Sequence, residues 1–296
     1  MVKITVPATS ANLGAGFDTL GLALSLYNYI YIDYSDKLDI KSIDGVDIPT
    51  DSSNLIYISA IKLFELCGNK IPNGLKIEQK NNIPLSRGLG SSSACIIAGL
   101  LGANELLGSP MSKNDILNFA TKLEGHPDNV APALLGGMVT SVYNNSEVLY
   151  VKQEIGSNLN FFAIVPDFEM KTEKSRQILP SSISYRDAVF NISRAALFSA
   201  SILQGKFENL RVASSDKLHQ PYRLRLIPHS KEIFDASYNF GAYSVYLSGA
   251  GSSIISICDG CNSSFLNNMK CKLDGMGLEN WKVLKLCVDN YGAKIE

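Results

Sequence analysis

Pro84-Leu85-Ser86-Arg87-Gly88-Leu89-Gly90-Ser91-Ser92-Ser93-Ala94 is the stretch on which the reading of this chain turns. An apolar run, Cys95-Ile96-Ile97-Ala98-Gly99-Leu100-Leu101, follows directly and is long enough to begin a helix. The serines stand where N-cap residues are expected. The glycines permit a tight turn and a close approach of backbone to a ligand. The free N–H groups of a first helical turn and the positive end of the helix dipole then converge on one point. Such a point attracts an anion, most commonly phosphate. A plain capped helix after a turn is the competing reading, and Gly-x-Gly alone does not decide between them. No Gly-Lys-Ser/Thr follows the second glycine, so the loop is not a Walker A. Its glycine spacing does not match a Rossmann fingerprint.

The rest of the composition makes phosphate a local matter. The 296 residues carry 27 Lys plus Arg against 28 Asp plus Glu, a formal charge of −1. That balance points to no nucleic-acid or membrane partner. Hydrophobic residues make up 46%, enough for a sizeable core in one large or two ordinary domains. No apolar run has the length of a membrane span, and Met1-Val2-Lys3-Ile4-Thr5-Val6 reads as a strand rather than a signal peptide, so a cytoplasmic location is expected. Cys258 and Cys261 are the only closely spaced cysteines of six. Without a second pair or a nearby His they read as incidental thiols rather than a zinc site.

Strands are expected at 2–6, 23–26, 29–32, 38–40, 75–78, 138–143, 161–166, 243–247, 253–258 and 283–286. Helices are expected at 54–67, from the phosphate loop to about 108, and at 112–124, 172–179, 186–204, 231–240 and 264–273. In the 186–204 helix, Val189, Ile192, Ala196, Leu197, Ala200 and Leu203 form the face expected to point inward. Pro7 to Asp18 reads as a long functional loop, and Asp216 to Arg223 as a polar connector. The stretch 144–160 is the candidate boundary, dividing the chain into 1–155 and 156–296.

Phosphoryl transfer needs a phosphate cradle, a cation and a held acceptor oxygen. Glu124 with the Ser92 hydroxyl offers hard oxygens for Mg²⁺, although Glu124 also suits a solvated helix end. His126, Asp128 and Asn129 read equally as the polar start of a helix with Asp128 as N-cap. Arg176 and Arg223 are surface charges or bidentate grips for a carboxylate.

The full pattern Pro-x-x-x-Gly-Leu-Gly-Ser-Ser-x-Ala at 84–94 resembles the nucleotide signature of the GHMP kinases. Four further segments resemble the homoserine-phosphorylating members of that family: 7–18, 125–132, the Thr172…Arg176 spacing, and 218–223. Ser248-Gly249-Ala250-Gly251-Ser252 resembles the family's third motif, with Ser252 where Pro is usual.

The resemblance implies an α+β, two-domain GHMP kinase fold. Its N-terminal part would be like ribosomal protein S5 domain 2 and its C-terminal part a ferredoxin-like sandwich. It implies ATP-dependent phosphorylation of L-homoserine to O-phospho-L-homoserine for threonine synthesis, with Mg²⁺, in a cytoplasmic homodimer. ATP would meet the whole 84–94 loop together with Gly249 and Gly251, and the metal would meet Ser92 and Glu124. The substrate ammonium would meet Asn12, Asp18 and Asp128, its carboxylate Arg176 and Arg223, with His126, Asn129 and Thr172 lining the same pocket. Asn12, Asp18, Asn129 and Arg176 would be the catalytic set, acting by position and charge without a dedicated base. A mevalonate-type pocket needs no partner for an ammonium, and a module that merely binds nucleotide would release no ADP.

Overall fold

The computed structural model describes residues 1–69 and 71–296. Two sheets organise it. The larger has the central order β11-β1-β2-β4-β3, with β5 on the first residues of β2 and β6 on β5. Its strands are β1 (Val2–Ala11), β2 (Leu20–Ser35), β3 (Asp39–Ser42), β4 (Gly74–Asn81), β5 (Met138–Asn144), β6 (Glu147–Gln153) and β11 (Lys294–Ile295). Four helices accompany this sheet: α1 (Leu55–Leu66), α2 (Ser91–Leu106), α3 (Lys113–Glu124) and α4 (Pro127–Leu135). The smaller sheet has strands β7 (Leu159–Val165), β8 (Ala242–Leu247), β9 (Ile254–Asp259) and β10 (Lys282–Leu286) in the antiparallel order β10-β7-β9-β8, the ferredoxin-like arrangement. The helices α5 (Thr172–Gln177), α6 (Tyr185–Gln204), α7 (Leu210–Ala213), α8 (Gln220–Arg223), α9 (Ser230–Asn239) and α10 (Phe265–Asp274) complete the chain.

α2 is the pivot. It is buried on nearly every side, and Ile96, Ile97, Leu100 and Ala103 join the main core. Gly99 makes this possible, since a side chain there would strike the Ile56 carbonyl of α1. Fixing α2 in the core fixes its N-terminal turn, which carries the serine run.

Several expectations change at this level. Pro7 does not end the first strand. The ladder with β2 continues to Ala11 across a register shift between Pro7 and Ala8, where the missing N–H of proline is tolerated. The functional loop is therefore only 12–19. The stretch 144–160 is not loop throughout. Glu147–Gln153 pairs back on β5 after a turn in which Asn145 and Ser146 have positive φ.

The expected inward face of α6 is wrong. Val189, Ile192, Ala196, Leu197, Ala200 and Leu203 are exposed, while Asn191, Phe198, Ser201 and Ile202 are buried. Asn191 explains the rotation. Its amide donates to Ala15 O and Asp216 Oδ1, so a polar residue anchors the inner face. Within the 216–223 polar connector His219, Gln220 and Arg223 are buried, while Pro221 is exposed. Asp216 accepts from the N–H groups of Leu218, His219 and Gln220, which satisfies the chain as α8 begins.

Candidate active site

The 84–94 loop passes between the two sheets and is tied to the second. Met170 N donates to Ser86 O at 2.8 Å, Ser253 N to Arg87 O at 3.0 Å, and the Ser248 hydroxyl to Gly88 O at 2.6 Å. Arg87 donates to the carbonyls of Leu85, Pro166 and Asp167. Its guanidinium therefore buttresses the loop. Gly88 and Gly90 both have positive φ, 75° and 71°. A side chain at Gly88 would meet Ser248 O, and one at Gly90 would meet Thr9 Oγ1.

The serines are not the caps expected of them. Gly90 is the N-cap, left-handed and without a side-chain cap bond, and Ser91, Ser92 and Ser93 form the first turn of α2. Their main-chain amides find no protein acceptor among the described residues. Ser91 Oγ is likewise buried, unpartnered and on the cleft wall. Orphan donors at a helix start suit a multi-oxygen anion.

This loop forms one wall of a cleft of about 320 Å³. The other wall is made chiefly of side chains from four segments: 12–18, 126–129, 172–176 and Arg223. Asn12 holds the 12–19 loop: its Nδ2 donates to Gly249 O at 3.0 Å and its Oδ1 accepts from Asp18 N at 3.0 Å. Asp18 is gripped by both Nη atoms of Arg176, at 2.7 and 3.1 Å. That bond, which outweighs burial, holds the Arg176 pKa above its ordinary value. Thr172 and Arg176, one turn apart on α5, both reach the cleft.

Arg223 is almost fully buried, with Nε on Ser175 O and Nη1 on Gly249 O. Its Nη2 has no protein acceptor among the described residues, and the side chain lines the cleft. Burial, and then the charge of Arg176, pull its pKa down to about 10. An incoming carboxylate would relieve both effects.

The segment 126–129 starts α4, with His126 rather than Asp128 as N-cap and Pro127 at the first helical position. Asp128 is buried and accepts from His126 Nδ1 at 2.5 Å and from Asn129 Nδ2 at 3.4 Å. Burial lowers the His126 pKa, but the bond to Asp128 and the charges of Asp128, Asp18 and Glu124 outweigh it, and the net shift is upward.

Most of the expected site residues thus share one cleft. Pro84, Leu89, Ala94 and Gly251 do not line it. Leu89 and Ala94 are core residues, and a side chain at Gly251 would strike Met170. Leu55, Cys95, Met170 and Ala250 line it without having been singled out. Apolar residues inside helix or core patterns carry no signal that one edge faces a ligand.

Two oxygen-rich groups bear on a metal. Glu124 accepts from the hydroxyls of Ser92 at 3.2 Å and Ser93 at 3.0 Å, directly beside the orphan amides. A carboxylate with a hydroxyl is a donor set that suits Mg²⁺, which otherwise keeps water and phosphate oxygens. Ligand atoms of Asp18, His126 and Asp128 lie within 4.8 Å of one another. Asp18 is engaged by Arg176 and Asp128 by His126, so that cluster reads as a charge network rather than a cation cage.

Fold and cleft together describe a small-molecule phosphotransferase, and comparison with known proteins agrees. The models for the GHMP kinases N terminal domain and the GHMP kinases C terminal match residues 54–137 and 198–265, and the chain belongs to this family. The chain is 46% identical to homoserine kinase of Clostridium beijerinckii over 100% of its own length and 98% of the relative's. It is 45% identical to homoserine kinase of Caldicellulosiruptor saccharolyticus over 100% and 96%. The crystal structure of homoserine kinase from Cytophaga hutchinsonii superposes with a TM-score of 0.89 at 32% identity, covering 100% of this chain and 97% of that one. Within the GHMP kinases, its place is among the homoserine kinases. Mevalonate kinase of Methanococcus jannaschii, at 16% identity and a TM-score of 0.70 over 97% and 98% of the two chains, shares the fold alone.

Proposed function

We propose that this protein transfers the γ-phosphoryl group of ATP to the side-chain hydroxyl of L-homoserine, giving O-phospho-L-homoserine for threonine synthesis. The carrying observation is charge complementarity inside one cleft. Orphan amides at 90–93 face a chamber holding the carboxylates of Asp18 and Asp128 and the open Nη2 of Arg223. A triphosphate suits the first and a zwitterionic amino acid the second. The polyphosphate lies on Gly88 to Ser93, with Gly249 and Ala250 closing the far side. The homoserine carboxylate takes Arg223, and its ammonium takes Asp128 and the outer edge of Asp18.

Mg²⁺ would be held by Glu124 and Ser92, where it would neutralise phosphate charge. No residue is assigned as general base. Asp18 has both oxygens engaged by Arg176, so it orders the pocket as a fixed charge. Asn129 and Arg176 complete the positioning set. The acceptor oxygen bonds to the γ-phosphorus as the bond from that phosphorus to the bridging oxygen breaks and ADP leaves. The hydroxyl proton passes to an oxygen of the transferred phosphoryl group and from there to solvent, while position and charge lower the barrier. With the chain divided at 1–155 and 156–296, the first part carries the phosphate loop, Asn12, Asp18, His126, Asp128 and Asn129, and the second supplies Thr172, Arg176 and Arg223, so both parts build the acceptor chamber. A cytoplasmic homodimer completes the proposal. No described helix is long and apolar enough to cross a membrane, and α6 presents an exposed stripe of Val189, Ile192 and Leu203.

ADP release is the test, measured with homoserine, mevalonate and galactose in turn. Homoserine-dependent release with the phosphate recovered on the homoserine oxygen supports the reading. Equal or faster release with mevalonate or galactose, or release with none of them, ends it.

A further inference from the structure

Thr9 lies on β1, fully buried and outside the cleft. It nevertheless touches both walls. Its N–H donates to Leu89 O in the phosphate loop at 3.1 Å, and its hydroxyl fills the space beside Gly90. The same hydroxyl donates to Asn129 Oδ1 at 2.8 Å. The orientation of the Asn129 amide follows from its two neighbours. Asp128 offers only acceptor oxygens on this side, so it draws Nδ2, at 3.4 Å, and turns Oδ1 toward Thr9. With Oδ1 occupied by a donor, the second Nδ2 hydrogen is left to face the cleft that Asn129 lines.

We infer that Thr9 is a positioning residue: its hydroxyl locks the Asn129 amide so that a donor, not an acceptor, meets the oxygens that approach between the phosphate loop and the acceptor chamber. This rests on the phosphoryl-transfer reading above. Without the Thr9 donor only the longer contact to Asp128 orients the amide, and a flipped amide would present Oδ1 to those negatively charged oxygens, repelling what it should hold. The location matters too. Thr9 is bonded to both the phosphate loop and an acceptor-side residue, so it sets one wall's register against the other's.

The experiment is a double-mutant cycle on the full chain. Thr9→Val nearly keeps the volume beside Gly90 and removes the hydroxyl that donates to Asn129. It should lower kcat/KM for homoserine by about ten- to a hundredfold, the range of a lost charge-facing hydrogen bond. The Kd for a non-hydrolysable ATP analogue should stay within about threefold, because the loop contact is one of shape and main chain. Thr9→Ser restores the donor and should recover most of the activity. In an Asn129→Ala background, Thr9→Val should change kcat/KM by no more than about twofold. Full activity in Thr9→Val overturns the inference, and so does an undiminished loss in the Asn129→Ala background or a Thr9→Ser variant as impaired as Thr9→Val. If Thr9→Val does not fold, Thr9→Ala is read by the same criteria. A wild-type protein with no homoserine-dependent turnover would sink the functional reading instead. The amide lock is then judged from a neutron crystal structure of Thr9→Val, where Asn129 Oδ1 and Nδ2 found in their wild-type places overturn it.

Discussion

From Gly88 to Ser93 the cleft wall is main chain, while from Asp18 round to Arg223 it is side chain. The first wall binds with amides that any residue carries, and its sequence demands concern conformation: glycine where φ is positive, small residues where the loop abuts the third motif. The second wall binds with particular functional groups, drawn from the 12–19 loop and from helices far apart in the chain, and oriented by bonds to one another. The difference teaches where each wall is fragile. A backbone cradle fails when its shape changes, whichever side chains it bears. A side-chain pocket fails when one group is exchanged, even if the shape survives.

Substitutions separate the two kinds of wall. The largest effect should come from Gly90→Ala. The left-handed conformation strains an L-residue by roughly 1–2 kcal/mol, and the new Cβ meets Thr9 Oγ1. Binding of an ATP analogue should weaken by at least about a hundredfold, measured by titration calorimetry; near-normal binding would show that the loop is not a backbone cradle.

Next in size is Arg223→Lys, which keeps the charge but not the fork. The homoserine KM should rise about a hundredfold while the affinity for the ATP analogue stays unchanged, a loss of the order seen when a buried charged contact is truncated. Weakened nucleotide binding instead would mean that the two walls are wrongly assigned.

Asp18→Asn should lower kcat by about tenfold through the weakened Arg176 contact. A fall of a thousandfold or more with homoserine affinity intact would make Asp18 the base and remove the purely electrostatic mechanism.

A pH profile probes the acceptor wall alone. The folded pKa of His126 is raised, so its pairing with Asp128 contributes stability in full below about pH 6.5 and loses it as pH rises through the raised value. The imidazolium also competes with the substrate ammonium for Asp128. The homoserine KM should therefore fall as pH rises through that range, and His126→Gln should flatten the profile. A slope that survives the substitution assigns the titration elsewhere.

Ser91→Ala should have the smallest effect. Its hydroxyl is unpartnered and its amide is retained, so the Kd for the ATP analogue should rise only several-fold, as expected for one neutral hydrogen bond. A loss as large as that of Gly90→Ala would put a side chain, not the backbone, at the centre of the cradle.

The sequence alone made the donor wall legible. A loop that turns on glycines and runs straight into a helix is contiguous, and its chemistry follows from local conformation. It also brought out most of the strands and helices, since hydrophobic period reports on near neighbours, but not the short elements β6, α7, α8 and β11. Tertiary structure decided the rest. It made Gly90, not a serine, the cap of α2, because the turn before the helix is left-handed. It buried Asn191 and Asp216 against each other and so turned the apolar stripe of α6 outward, which periodicity could not foresee. It also brought Asn12, Asp18, Asp128, Arg176 and Arg223 into one chamber. Their mutual orientation depends on carbonyls and carboxylates up to 237 residues apart, as between Asn12 and Gly249, and no local pattern records that.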